Sequence, residues 1–280
     1  MSDVRVRDVP LRVVSPLLVT RPWRALGGRA SLHLVERHAR AYRHMWLVLI
    51  SGFGEPVFYL LALGVGLGHL VGGVTGPGGA PITYAEFVAP ALLATSAMTG
   101  AINDSTFNVF WRLKYAKLYD AVLVTPMRAS EVALGEIGWA LIRGGMYAAA
   151  FSVVLLAMGL LHSAWAVLLI PAALLTGFGF AGAGMAATTF MRSWQDFEYV
   201  TVATLPLFLF STTFYPLSVY PRAFQIVVEC TPLYQAVTLT RGLALGVTGP
   251  GLLWHAAYLA ALGLAGLYIA GRRVSRLLLT

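Results

Sequence analysis

Charge is scarce in this chain. Only 11% of its 280 residues are Asp, Glu, Lys or Arg, while 58% are hydrophobic, and a soluble domain carries roughly 25% charged residues. A water-covered core of that size needs a charged shell that this sequence does not contain, so water is excluded as its main solvent. Cysteine is nearly missing: Cys230 stands alone, which excludes an intrachain disulfide and a cysteine-based metal cluster. No G-x-x-x-x-G-K-[ST] phosphate loop occurs, so the chain does not cradle ATP by that route. No G-x-S-x-G elbow occurs either, and His69, His162 and His255 fall at the ends of apolar runs without a recognisable nucleophile, which argues against catalysis. The N-terminal segment holds no apolar stretch of signal-peptide length, and cleavage is not expected.

What the chain does have is long apolar runs. A bilayer core is about 30 Å thick and a helix crosses it in roughly 20 residues. Six runs of that order predict spans at Trp46–Leu70, Phe87–Phe107, Ile137–Leu161, Trp165–Met191, Tyr199–Tyr215 and Leu252–Ala270. The expected fold is an all-α integral membrane protein. A basic segment (1–45) leads into a six-span unit (46–271) and a short tail (272–280). All but Arg143, Arg222 and Arg241 of the 20 Lys and Arg residues fall before the first span, between the second and third, after the fourth, or in the tail. The positive-inside rule puts those ends, and both termini, in the cytoplasm of a bacterial inner membrane. The net charge of +8 is read as topological, facing anionic lipid, because no basic stripe interleaved with aromatics marks a nucleic-acid surface.

Several segments ask for more than a span. Trp23, Leu26, Leu32, Leu34 and Val35 alternate with Arg24, Arg29, Glu36 and Arg37, predicting a basic amphipathic helix on the inner membrane face. The stretch Pro216–Gly242 is too apolar for a solvated loop but is broken by Pro221 and Pro232, predicting two short helices that dip into the outer leaflet. Thr125 followed by Pro126 reads as a helix N-cap and first helical residue. Gly177, Gly179 and Gly182 spell G-x-G-x-x-G inside an apolar helix, where small residues serve close helix approach and not a dinucleotide. Asp104 is expected at the membrane surface, and Arg143 to snorkel from the third span. Glu55 is deep in the first span and is expected to point inward, either with Pro56 as part of a substrate path or hinge or as an anchor at a subunit interface. Phe107, Phe208 and Phe214, with few charges nearby, predict a path for an amphipathic substrate such as a lipid-linked sugar, a glycolipid or an apolar drug.

Three blocks carry a family resemblance: "EPVFYLLALGVGLG" (Glu55–Gly68), "GAINDSTFNVFWRLKYAKLYDAVLVTPMRASEVALGE" (Gly100–Glu136), and "FSTTFYPLSVYP" with "TPLYQAVTLTRGLALG" (Phe210–Pro221, Thr231–Gly246). The chain resembles type-2 ABC transporter permeases of the nodulation-factor and daunorubicin-resistance export type. The resemblance implies an exporter with a second permease copy or paralogue and a separate ABC ATPase subunit that holds the ATP and Mg, so that this chain binds no cofactor and is not itself an enzyme. It also implies that Tyr119, Asp120, Thr125, Pro126, Arg128 and Glu131 couple to the ATPase. A secondary transporter would place paired ionisable residues near the midplane, where only Glu55 lies deep, and would show inverted repeats. A membrane-embedded enzyme is the other alternative.

Overall fold

The computed structural model describes residues 54–114 and 129–279, together with Val35, Glu36 and Ala39. Most of the predicted amphipathic helix and the 115–128 segment lie outside the described residues. Val35, however, sits where a Cβ on Gly138 would meet it at 3.5 Å, so that residue lies against the third span.

Helix α1 (Gly54–Val71) leads through a hairpin into α2 (Tyr84–Arg112). Then come α3 (Ala129–Ala157), α4 (Leu169–Thr188), α5 (Phe197–Phe210), α6 (Arg222–Glu229), α7 (Pro232–Leu245) and α8 (Gly251–Leu279). Among the described residues five stretches are long and apolar enough to cross a membrane, in α1, α2, α3, α4 with its preceding turn, and α8. The chain is a multi-pass membrane protein. Among the described residues the expected all-α chain gains a short sheet: β1 (Gly73–Thr75) pairs antiparallel with β2 (Pro81–Thr83), Val74 opposite Ile82. Branched residues favour that pairing, and Gly78 and Gly79, with φ of 81° and 82°, make a turn that side chains would strain.

The helix starts are written locally. Thr83 accepts from Glu86 N (3.3 Å) while Thr83 N donates to Glu86 Oε2 (2.7 Å), a reciprocal cap on α2. Thr231 caps α7 with Pro232 in its first turn, and Gly246 closes it at φ 78°. The expected fifth span, Tyr199–Tyr215, stops early. Helix α5 ends at Phe210 after 14 residues, about 21 Å of rise. Beyond it Ser211 Oγ and Thr213 Oγ1 bond each other at 2.9 Å and Thr212 adopts φ 62°, so local side-chain bonds displace the helix. Pro56 is buried in the first described turns of α1, and the irregularity follows it as a π-helical stretch, Leu60–Leu67.

The core is built around α4, which packs on α2, α3 and α8. Its glycines set the distance, as their placement inside an apolar helix suggested. A Cβ on Gly182 would lie 2.5 Å from Gly263 O and 3.0 Å from Gly263 Cα, and one on Gly179 3.0 Å from Leu259 O. A Cβ on Gly266 would collide with Gly182 itself. Backbones therefore touch at the α4–α8 crossing, the small-residue mode of helix association in lipid. Helix α1 is different: Leu60 and Gly64 face α2, while Phe58, Leu61, Val65 and Leu70 are exposed.

Candidate functional site

The bundle has a basic end, with Arg112, Arg192, Arg272 and Arg273, and an opposite end with the β-hairpin. Near the basic end α2 passes through a π-helical turn, Asp104–Asn108, a distortion that re-aims side chains and is frequent at functional sites. There Asp104 forms an ion pair with Arg143 of α3, both side chains about nine-tenths buried, and accepts from Asn108 Nδ2 at 3.0 Å. Asp104 lies eight residues before Arg112 on the same helix. The carboxylate and the snorkelling arginine, expected separately, are instead paired and buried against each other inside the bundle, where each neutralises the other's charge. Two turns toward the basic end Arg112 pairs with Glu136, so two ion pairs fix the α2–α3 register.

Beside the inner pair lies a cavity of about 430 Å³, within the range of small-molecule sites. Its lining mixes polar side chains, Asn103, Asp104, Thr106, Asn108, Arg143 and Thr201, with the apolar Phe107, Trp194, Phe197 and Val200. The rings there, with Phe110 behind them, are packed: Phe107 to Trp194 at 5.2 Å, Phe110 to Phe197 at 5.2 Å and 87°, Trp194 to Phe197 at 5.4 Å between ring centroids. Ring contacts of this kind, edge-to-face for Phe110 on Phe197 and tilted for the other two, hold rings in place, so the start of α5 is locked to α2. Ser193 and Asp196 form a reciprocal cap at that start. The backbone N–H groups of Arg192 and Ser193 hold the Asp196 carboxyl below the usual carboxylate range. A depressed carboxylate stabilises fully above its unfolded value, about 4, and loses that contribution as pH falls through the lower folded value. Tryptophan emission is therefore expected to be flat from about pH 8 to pH 5 as far as this group is concerned, with an acid step that Asp196→Asn removes.

Toward the hairpin end a buried arginine organises the structure. Arg241 donates from Nε to Phe87 O (3.1 Å) and from Nη2 to Thr212 O (2.8 Å), and its guanidinium lies 3.8 Å from the Phe87 ring centroid. Thr240 donates to Pro90 O at 2.9 Å. Helix α7 is thereby clamped to α2 and to the bend after α5. Arg241→Gln is expected to lower the stability of purified protein by about 1–3 kcal/mol by leaving buried carbonyls without donors, and Arg241→Lys to restore little, because an ammonium lacks the planar fork. Thermal unfolding in detergent reads both.

The predicted path residues separate. Phe208 meets Phe214 at 5.1 Å and Tyr59 of α1 at 6.0 Å, whereas Phe107 belongs to the cavity wall at the other end of α5. Glu55, expected to point inward, is exposed in the single chain, with Pro56 buried beside it, because α1 packs against α2 on one face only. Of the coupling residues, Tyr119, Asp120, Thr125, Pro126 and Arg128 lie outside the described residues; Glu131 stands in the first turn of α3, where a carboxylate favours the helix dipole. The histidines do not converge: His162 Nε2 is 3.3 Å from Glu86 Oε1, His255 pairs with Gln235, and His69 is exposed. Sequence reasoning missed the roles of Arg143, Trp194, Phe197 and Arg241. The legible signal for two of them was charge inside apolar or re-entrant stretches.

Residues 30–245 match the ABC-2 type transporter family, a stretch that includes the cavity, both ion pairs and the Arg241 clamp. The chain belongs to the ABC-2 type transporter family. Among relatives of the permease, Nodulation protein J of Rhizobium leguminosarum bv. trifolii is 34% identical over 201 residues, covering 71% of this chain and 74% of that protein. Nodulation protein J of Rhizobium leguminosarum bv. viciae is 32% identical over 224 residues, 79% and 84% respectively, and that of Rhizobium meliloti (strain 1021) is 31% identical over 215 residues, 75% and 79%. The permease is thus a transporter membrane component.

Proposed function

We propose that the permease moves an amphipathic substrate outward across the bacterial inner membrane, using ATP hydrolysed on a separate ABC ATPase subunit. It works beside a second permease copy or paralogue, with its basic end and both termini in the cytoplasm. Family membership supports the transporter frame. The observation that carries the cargo reading is the cavity beside Asp104 and Arg143, lined by both polar and aromatic side chains, which suits a molecule with a polar head and an apolar body. Lipid-linked sugars, glycolipids and apolar drugs all meet that description.

Helix α5 is the fifth of six crossings in this reading. Its first turn touches Phe107 and the bend after it reaches Arg241 and hence the level of Phe87, so the chain changes ends there despite the short helix. Helices α6 and α7 then sit in the outer leaflet. Exposed Glu55 on the open face of α1 is placed against the second subunit, since a carboxylate left to lipid is unfavourable. The 115–128 segment, with Tyr119, Asp120, Thr125, Pro126 and Arg128, and Glu131 just after it, carries motion from the ATPase. Asp120→Ala with Arg128→Ala is expected to lower permease-dependent ATPase activity about tenfold. An unchanged rate in the purified complex would remove that segment from the coupling.

A further inference from the structure

At the basic end the last turns of α4 and α8 meet. Phe190, in the turn that closes α4, is more than half exposed, and Arg273 lays its guanidinium over that ring, 3.7 Å from the centroid. Its neighbour Arg272 does the same over Tyr268, one turn back on α8, at 4.7 Å. A stacked guanidinium uses its face and leaves a planar fork of N–H donors at its edge. Among the described residues no carboxylate lies within ion-pair distance of either arginine, and the Arg273 Nε is buried without an acceptor. Asp196, six residues beyond Phe190, is taken up by the backbone N–H groups of Arg192 and Ser193.

We propose that Arg272 and Arg273, seated on Tyr268 and Phe190, form a binding site for the phosphate of an anionic phospholipid. The apolar membrane stretch of α8 ends at Val274, so the two arginines stand where hydrocarbon gives way to headgroups. A phosphate there accepts from the outer N–H groups of the fork in the bidentate manner that suits guanidinium. The exposed rings beneath the arginines meet the glycerol and upper acyl region, contacts that a free phosphate has no means to use. The site depends only on the membrane embedding of the chain, not on cargo or direction of transport.

The test is native mass spectrometry of the full-length permease, purified in mild detergent and incubated with phosphatidylglycerol or phosphatidylcholine of equal chain length. The wild type is expected to retain phosphatidylglycerol over phosphatidylcholine. Arg273→Gln should cut that preference by more than about fivefold, since it removes the fork as well as one cation at a headgroup, while Arg276→Gln, one turn further on, leaves it in place. Where the glutamine variant does not yield monodisperse protein, Arg273→Lys serves: it keeps the charge, loses the fork, and is expected to lose most of the preference. Equal retention of the two lipids overturns the proposal. So does an equal loss with Arg276→Gln, which indicates diffuse charge, full retention by Arg273→Lys, or displacement of the lipid by millimolar inorganic phosphate, which indicates a free-anion site.

Discussion

Gly182→Leu is expected to leave almost no monodisperse permease after detergent extraction. A Cβ alone at that position would lie 2.5 Å from Gly263 O, and the obstacle is backbone, which no rotamer change can move aside. Overpacking in cores costs about 1–3 kcal/mol when side chains can yield; here the α4 and α8 axes must separate, and with them the largest packed contact of the bundle. Gly263→Leu should behave alike, since its Cβ would meet the Phe178 ring and Phe178 O. Gly100→Ala and Gly144→Ala are the controls, because nothing lies within 4 Å of a Cβ at either site; both should be tolerated or slightly stabilising, as helical alanines. Size-exclusion profiles of the four variants decide it, and a normal yield of Gly182→Leu would mean that the helices do not cross at these glycines.

The second large effect concerns the buried ion pair. Asp104→Ala removes the carboxylate that pairs with Arg143, both side chains being about nine-tenths buried, and is expected to lower stability by about 3–5 kcal/mol. Replacing both partners removes both charges: Asp104→Leu with Arg143→Leu should recover most of the stability, because buried pairs are often no more stabilising than apolar replacements. Transport should not recover with it if the polar side chains of the cavity hold the head of the cargo. Thermal unfolding and substrate movement measured on the same preparations separate the two roles. Equal loss in the single and double variants would assign the pair to neither.

The spans were legible because lipid imposes one demand on every crossing, an apolar helix with its flanks charged, and this chain meets it plainly at α2, α3, α4 and α8. The shortness of α5 was hidden, since Ser211, Thr212 and Thr213 are compatible with a membrane helix and only their local bonds reveal the stop. The glycine crossing was legible as a function of small residues but not as a pair, because Gly182 and its partner Gly263 are far apart in sequence. The site was the least legible part. Asp104 and Arg143 each had a plausible solitary place near the surface, and only antiparallel packing of α2 on α3 brings them together. Trp194 and Phe197 lie in a short connection whose capping by Asp196 directs both rings at Phe107 and Phe110. Arg241 read as a loop cation, and its burial depends on acceptors contributed by Phe87 and Thr212. The coupling residues rest on family resemblance alone.

Inside-out membrane vesicles carrying the permease and its ABC ATPase test the central claim most directly, by following uptake of a fluorescent amphipathic probe. The account predicts accumulation that requires ATP, persists when the proton gradient is collapsed, and is lost in the Asp104→Leu, Arg143→Leu variant. Uptake that follows the proton gradient and ignores ATP would contradict it.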